Sequence, residues 1–152
     1  MNEAKFWKII GLFDVKQTDS LAIMKNAIQV LSELEITKIE AFTDILAEKL
    51  FVLDAEKYTQ NLDKPISVDD FLYVRCFVVA NGEAYYQEIL QNPEKLEDSA
   101  FEPLLSLPDL AFEQKTNQEF LYITKVSYET YSNAEGWKEA GIISPLHALL
   151  ND

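Results

Sequence analysis

At 152 residues, with 48% hydrophobic and 26% charged side chains, the chain is long enough for one domain with a sizeable core and too apolar to be disordered. Its 26 Asp and Glu against 13 Lys and Arg, a net charge of −13, weigh against nucleic acid and anionic membranes as partners and favour a basic protein. The opening MNEAKFWKII lacks the basic-then-apolar build of a signal peptide, no apolar run reaches about 18 residues, and the lone Cys76 forms no internal disulfide, so a cytoplasmic domain is expected.

Asn2 is placed to cap a first helix carrying Phe6, Trp7, Ile9, Ile10 and Phe13, with Gly11 weakening its far end. A polar link, Lys16 to Ser20, ends in cap residues. Leu21, Met24, Ala27, Ile28, Leu31 and Leu34 then follow at the three-and-four spacing of a second helix. Thr37 and Glu40 have the spacing of a capping box and predict the start of a third helix. Ile39, Phe42, Ile45, Leu46, Leu50 and Leu53 carry that helix to about Tyr58. Asn61 to Ser67 is a polar linker holding Pro65, and Ser67 with Asp69 and Asp70 caps the next helix.

From Phe71 to Ala80 the chain is apolar on every side of a helical wheel, interrupted only by Arg75, the single arginine of the sequence. A helix apolar all round is a buried one, so this segment is predicted to be the central helix, stopped at Asn81-Gly82. Glu83 to Leu90 forms a further helix, and Asn92-Pro93-Glu94 a stop and restart. Glu97 to Thr116, broken by Pro103 and Pro108, reads as short turns on the core. Asn117 is then expected to cap a helix bearing Phe120, Leu121, Thr124, Tyr128 and Tyr131. A tail runs from Ser132, with Ser144-Pro145 starting a last helical turn through Leu150. No segment alternates cleanly over six residues, and glycine is scarce at four residues. The predicted fold is all-α: one domain over residues 1–152, a single irregular bundle of about six helices around the buried central one.

Phe6-Trp7, and Asp69-Asp70-Phe71, Tyr73, Arg75, Gly82 and Tyr86 followed by Asn92-Pro93, together resemble a bacterial family known as domain of unknown function 4240. Its members open with a Phe-Trp helix and carry a Ser-Asp-Asp-type start to an aromatic run with an Arg ending at Gly. The likeness spans roughly residues 1–131 and leaves 132–152 as a tail outside the family core. It departs in the linker, where the family tends to hold Gly and Trp and Asn61–Ser67 holds neither. The resemblance implies a helical fold and no activity.

No catalytic cluster, Gly-rich phosphate loop or metal-ligand spacing is visible, and no cofactor is expected. Cys76 sits among Leu72, Phe77 and Val79, a setting that leaves a thiol inert, and His147 has no second ligand at helical spacing. Arg75 has two readings. In one it is a paired, buried side chain fixing helix register. In the other it lies with Tyr73 and Asp70 in a ligand-binding anion pocket, since an Arg fork suits carboxylate and phosphate. The structural reading is preferred, because a buried pair is the commoner use of such a residue.

Charge is uneven along the chain. Up to Gly82 there are 13 acids and 9 bases, and beyond it 13 acids and 4 bases, a net −4 against −9. Most tyrosines share the acidic part, which points to a partner-binding face around Glu94, Glu97, Asp98 and Glu102. Two functions follow: a non-enzymatic domain that binds a basic protein, as a toxin-neutralising immunity protein would, or a small-ligand binder or enzyme using a pocket near Arg75. The missing catalytic cluster favours the first.

Overall fold

The computed structural model describes residues 1–140, so the expected turn at Ser144–Leu150 and His147 lie outside the described residues. Among them are six α-helices and no strand: α1 Glu3–Ile10, α2 Ser20–Glu33, α3 Ile36–Val52, α4 Val68–Ala80, α5 Glu83–Gln91 and α6 Leu107–Thr116. Three 3-10 turns lie between them, Glu56–Thr59, Pro93–Lys95 and Glu102–Ser106, and a fourth, Ala134–Ala140, follows α6. The all-α bundle expected from apolar spacing is what forms.

The caps act where the sequence places them. Asn2 accepts from the Lys5 amide at 2.9 Å, Asp19 from Ala22 at 3.1 Å and Ser67 from Asp70 at 3.0 Å. Asp69 and Asp70 sit in the first turn of α4, where the helix dipole favours negative charge. Buried Phe71, Leu72, Val74, Arg75, Cys76, Val78 and Val79 make α4 the centre of the bundle, packed by α3, α5 and the Glu102–Ser106 turn. The Phe-Trp pair of α1 plugs one end: Phe6 meets Phe42 of α3 at 4.8 Å and Trp7 meets Tyr86 of α5 at 5.3 Å. Gly82 takes φ +96° between α4 and α5, a backbone that an L side chain rarely adopts.

Four expectations are corrected. Helix α3 starts at Ile36, not at Thr37, because the Lys38 and Ile39 amides already donate to the Glu35 carbonyl; Thr37 therefore lies inside the first turn and makes no capping bond. The same helix ends at Val52 rather than near Tyr58, since the chain turns at Leu53 to bury Asp54. The prolines of the 102–116 region start elements instead of breaking them. Pro103 and Pro108 each occupy a first turn, where a missing N–H leaves no bond unmade, and Leu107–Thr116 is a full helix packed along α2.

The fourth correction is the largest. Asn117 does not cap a following helix; it ends α6 in the left-handed conformation at φ 60°, its amide donating to Glu113 at 2.7 Å. Beyond it residues 118–131 form a strap without helix, laid across α3 and α4. Side chains alternate along it. Phe120, Tyr122, Thr124, Val126, Tyr128 and Thr130 turn toward the bundle, while Leu121, Ile123, Lys125, Ser127 and Glu129 face out. That period of two is a strand's, carried by β-branched and aromatic residues. The described part of the tail also belongs to the fold, because Trp137 is buried against Phe71 and Tyr131, at 5.7 and 4.8 Å between ring centres.

Candidate functional site

Three buried polar side chains hold the strap, and each comes from a bundle helix or its end. At the start Asp44 of α3 accepts from the Tyr122 hydroxyl at 2.5 Å and from the Lys125 amide at 2.9 Å. In the middle Arg75 of α4 donates to the Tyr128 carbonyl at 2.9 Å and to the Thr130 hydroxyl at 3.0 Å, while also donating to the Leu50 carbonyl at 2.9 Å. The Thr130 hydroxyl in turn donates to the Val68 carbonyl at 2.7 Å. At the far end Asp54 accepts from the amides of Tyr131 and Asn133, at 3.1 and 2.9 Å, and from the Trp137 indole at 2.8 Å. Tyr131 there holds φ 76°, a left-handed backbone fixed by the Asp54 contact.

Arg75 is 0% exposed and lies 5.0 Å over the Phe71 ring. Burial lowers its guanidinium from the ordinary value, opposed by the charge of Asp54 nearby. Its hydrogen-bonding partners are carbonyls and a hydroxyl. Helix geometry separates it from the other two expected ligand residues: Asp70 and Tyr73 are three apart and share one side of α4, whereas Arg75 is two further on and points the other way. None of the concavities described below includes Arg75.

Asp70 and Tyr73 instead meet the acidic segment. A concavity of about 310 Å³ is lined by Asp63, Asp70 and Asp98 with Pro65, Ile66 and Val74, and no Lys or Arg lines it. Beside it the Tyr73 carbonyl accepts from the Phe101 amide at 3.0 Å. The Tyr73 phenol is held above its ordinary value, by desolvation first and then by Glu102, Asp69 and Asp70. Glu94, Glu97, Asp98 and Glu102 are all exposed; the Glu94 carbonyl accepts from the Asn61 side chain, and the Glu97 amide donates to the Tyr85 hydroxyl at 3.1 Å. The structure thus gathers Asp70 and Tyr73, expected to bind a ligand, beside Asp98 and Glu102, expected to bind a partner.

A second concavity, about 390 Å³, lies between α3, the start of α6 and the strap. Asp109 and Glu129 supply its charge, Phe120, Tyr122 and Tyr128 its aromatic walls, and among the described residues no base lines it. Desolvation raises the Asp109 carboxyl above its ordinary value, and Glu119 adds to the shift. Lysines gather elsewhere: Lys57, Lys64 and Lys138 line a third concavity, matched there by Glu56, Glu135 and Glu139. Only two ion pairs form among the described residues, Lys49 with Glu3 and Lys95 with Glu88.

The thiol of Cys76 is pushed up to about 12 by burial, so it is a packing group at neutral pH. No group of three or more His, Cys, Asp or Glu able to hold a metal occurs among the described residues. No described helix is long and apolar enough to cross a membrane.

Asp44, Asp54 and the strap escaped the sequence reading. Each aspartate lies in a helical apolar pattern, where an acid passes for a solvated residue, and its partners are 77 or more positions away along the chain. The short polar–apolar alternation from Lys125 to Glu129 was the available signal for the strap.

Tyr122 provides a pH test of the strap. Its phenol is raised from 10.0 to about 12, first by the Asp44 hydrogen bond and then by desolvation. An unfolded tyrosine ionises near its ordinary value while the folded one keeps its proton. The Tyr122 contribution is therefore intact below pH 10 and is lost as pH rises toward about 12. Denaturant titrations across that window should show the loss in the parent protein and a smaller one in Tyr122→Phe.

The family model described as "Protein of unknown function (DUF4240)" matches residues 1–133. Comparison with curated proteins and comparison with solved structures each found no match.

Proposed function

Because the chain belongs to this family of unknown function, we propose from the geometry of its sites that it is a non-enzymatic protein-binding domain whose acidic face takes up a basic partner. One observation carries the reading: Asp63, Asp70 and Asp98 converge on a single concavity that no cation lines, with exposed Glu97 and Glu102 next to it in sequence. Carboxylates left unpaired on a rigid surface raise the encounter rate with a positive surface, and tyrosines such as Tyr73 and Tyr85 at their side can anchor it. A toxin-neutralising immunity protein is one form of such a domain. The acidic surface disfavours nucleic acid and anionic membranes as partners, and a buried, unpaired Cys76 suits a reducing cytoplasm.

The alternative, an anion pocket at Arg75, has less support, because that side chain is buried and three of its five N–H groups are engaged by Leu50, Tyr128 and Thr130. The experiment is capture from the native cell with the full chain as bait, run beside a charge-reversed bait carrying Asp98→Lys and Glu102→Lys. A basic protein retained by the first bait and lost from the second is the expected result. Equal retention by both would count against the acidic face.

A further inference from the structure

The strap has features that its role as a packing element leaves unused. Its outward row reads Glu119, Leu121, Ile123, Lys125, Ser127, Glu129, so two large apolar residues stand between Glu119 and Lys125 on an exposed edge. Ile123 is 87% exposed and Leu121 75%, the values of a fully presented pair. Among the described residues no protein acceptor meets an N–H between Phe120 and Thr124. A strand-like segment held firmly at Asp44, Arg75 and Asp54, with unpaired backbone groups and outward β-branched residues, is a preorganised template for another strand.

We infer that Glu119–Lys125 is a docking edge that takes an extended, lysine- or arginine-bearing segment of a partner protein by strand addition. The inference rests on the basic-partner reading above and adds a second contact, on the strap, for an extended segment of such a partner. Charge selects the occupant. Glu119 precedes the apolar pair on the exposed row and Glu129 lies beyond Lys125, while the concavity that Ile123 and Glu129 border brings Asp109 as well, with no Lys or Arg in its lining. Lys125 is the one cation on the edge. A second copy of this chain, at net −13, would set the same acids against each other. Residues 141–152 contain no Lys or Arg to answer those carboxylates. A basic segment places cations against Glu119 and Asp109 while its β-branched residues lie beside Leu121 and Ile123.

The test uses the full chain and a capped peptide, Lys-Lys-Val-Thr-Val-Lys-Thr, with Glu-Glu-Val-Thr-Val-Glu-Thr as its counterpart. Amide hydrogen exchange is read by NMR. The basic peptide should slow alternate amides between Phe120 and Thr124 about tenfold or more, the period-two signature of one added strand. The acidic peptide should leave them unchanged. Leu121→Lys with Ile123→Lys, both on exposed side chains, should abolish the protection without changing the helical spectrum. Protection confined to the Asp63, Asp70 and Asp98 concavity would overturn the strap and leave the acidic-face reading standing. Equal protection by both peptides would overturn the charge-selected occupant and count against that reading too. Amides already protected in the free chain would mean that a second copy or residues 141–152 cover the edge, and would overturn the proposal. So would the absence of protection with either peptide.

Discussion

Replacing Arg75 with alanine is expected to lower the unfolding free energy by about 3–5 kcal/mol, the cost of stripping a buried charged donor from acceptors that stay buried. Three acceptors lose their bond at once: the Leu50 and Tyr128 carbonyls and the Thr130 hydroxyl. A cavity beside Phe71 adds to the loss. For a chain of this size the melting temperature should fall on the order of 10 °C. Lysine reaches one of these acceptors as a point donor and should recover part of the stability, whereas methionine fills the volume without bonding and should recover less. Thermal denaturation of the three variants orders them. An unchanged melting temperature in Arg75→Ala would mean that the strap does not depend on the guanidinium.

The second large effect is expected at Asp54. Its carboxylate is fully buried and accepts from three donors, the amides of Tyr131 and Asn133 and the indole of Trp137. Asp54→Ala orphans all three at about 1–3 kcal/mol each before relaxation, so a net loss of about 3–5 kcal/mol is expected. The left-handed turn at Tyr131 loses the contact that holds it, and the strap end and the 134–140 turn should open first. Gly136 supports the same corner. A Cβ there would meet the Asp54 carbonyl at 2.5 Å and Ala55 at 2.7 Å, so Gly136→Ala must lift the Trp137 turn away. Trp137 fluorescence should shift toward that of a solvated indole in both variants at denaturant concentrations where the helical signal is intact.

These two sites mark where the sequence was legible and where it was not. The bundle itself could be read, because α2, α3 and α4 write their burial in spacings of three and four and in the all-apolar run Phe71–Ala80. Boundaries failed where a neighbour in space decided them. Asp54 stops α3 early because its carboxylate is needed by residues of the strap end, which no local pattern reveals. Pro103 and Pro108 read as breaks, yet a proline in a first turn is a start, and only the packing of α6 on α2 tells the two apart. From Asn117 onward the apolar residues fitted helical spacing, and no clean alternation over six residues spoke for a strand. The left-handed Asn117 and the clamps at Asp44 and Arg75 selected the strap. Of the expected site residues, Asp70, Tyr73, Asp98 and Glu102 come together because the chain returns past α4 after Asn92-Pro93; Arg75 departs from them because 200° of helix lies between positions 73 and 75.

Association kinetics against salt, measured for the partner recovered from cells, decide whether an acidic face captures a basic protein. The on-rate should fall as salt rises, because screening acts on approach before contact, while the off-rate should change less. Reversing two or three charges among Glu94, Glu97, Asp98 and Glu102 should slow association, and the same reversal among Glu33, Glu35 and Glu40 should matter little. A salt-independent on-rate, or a footprint confined to residues 1–60, would contradict capture by the acidic face.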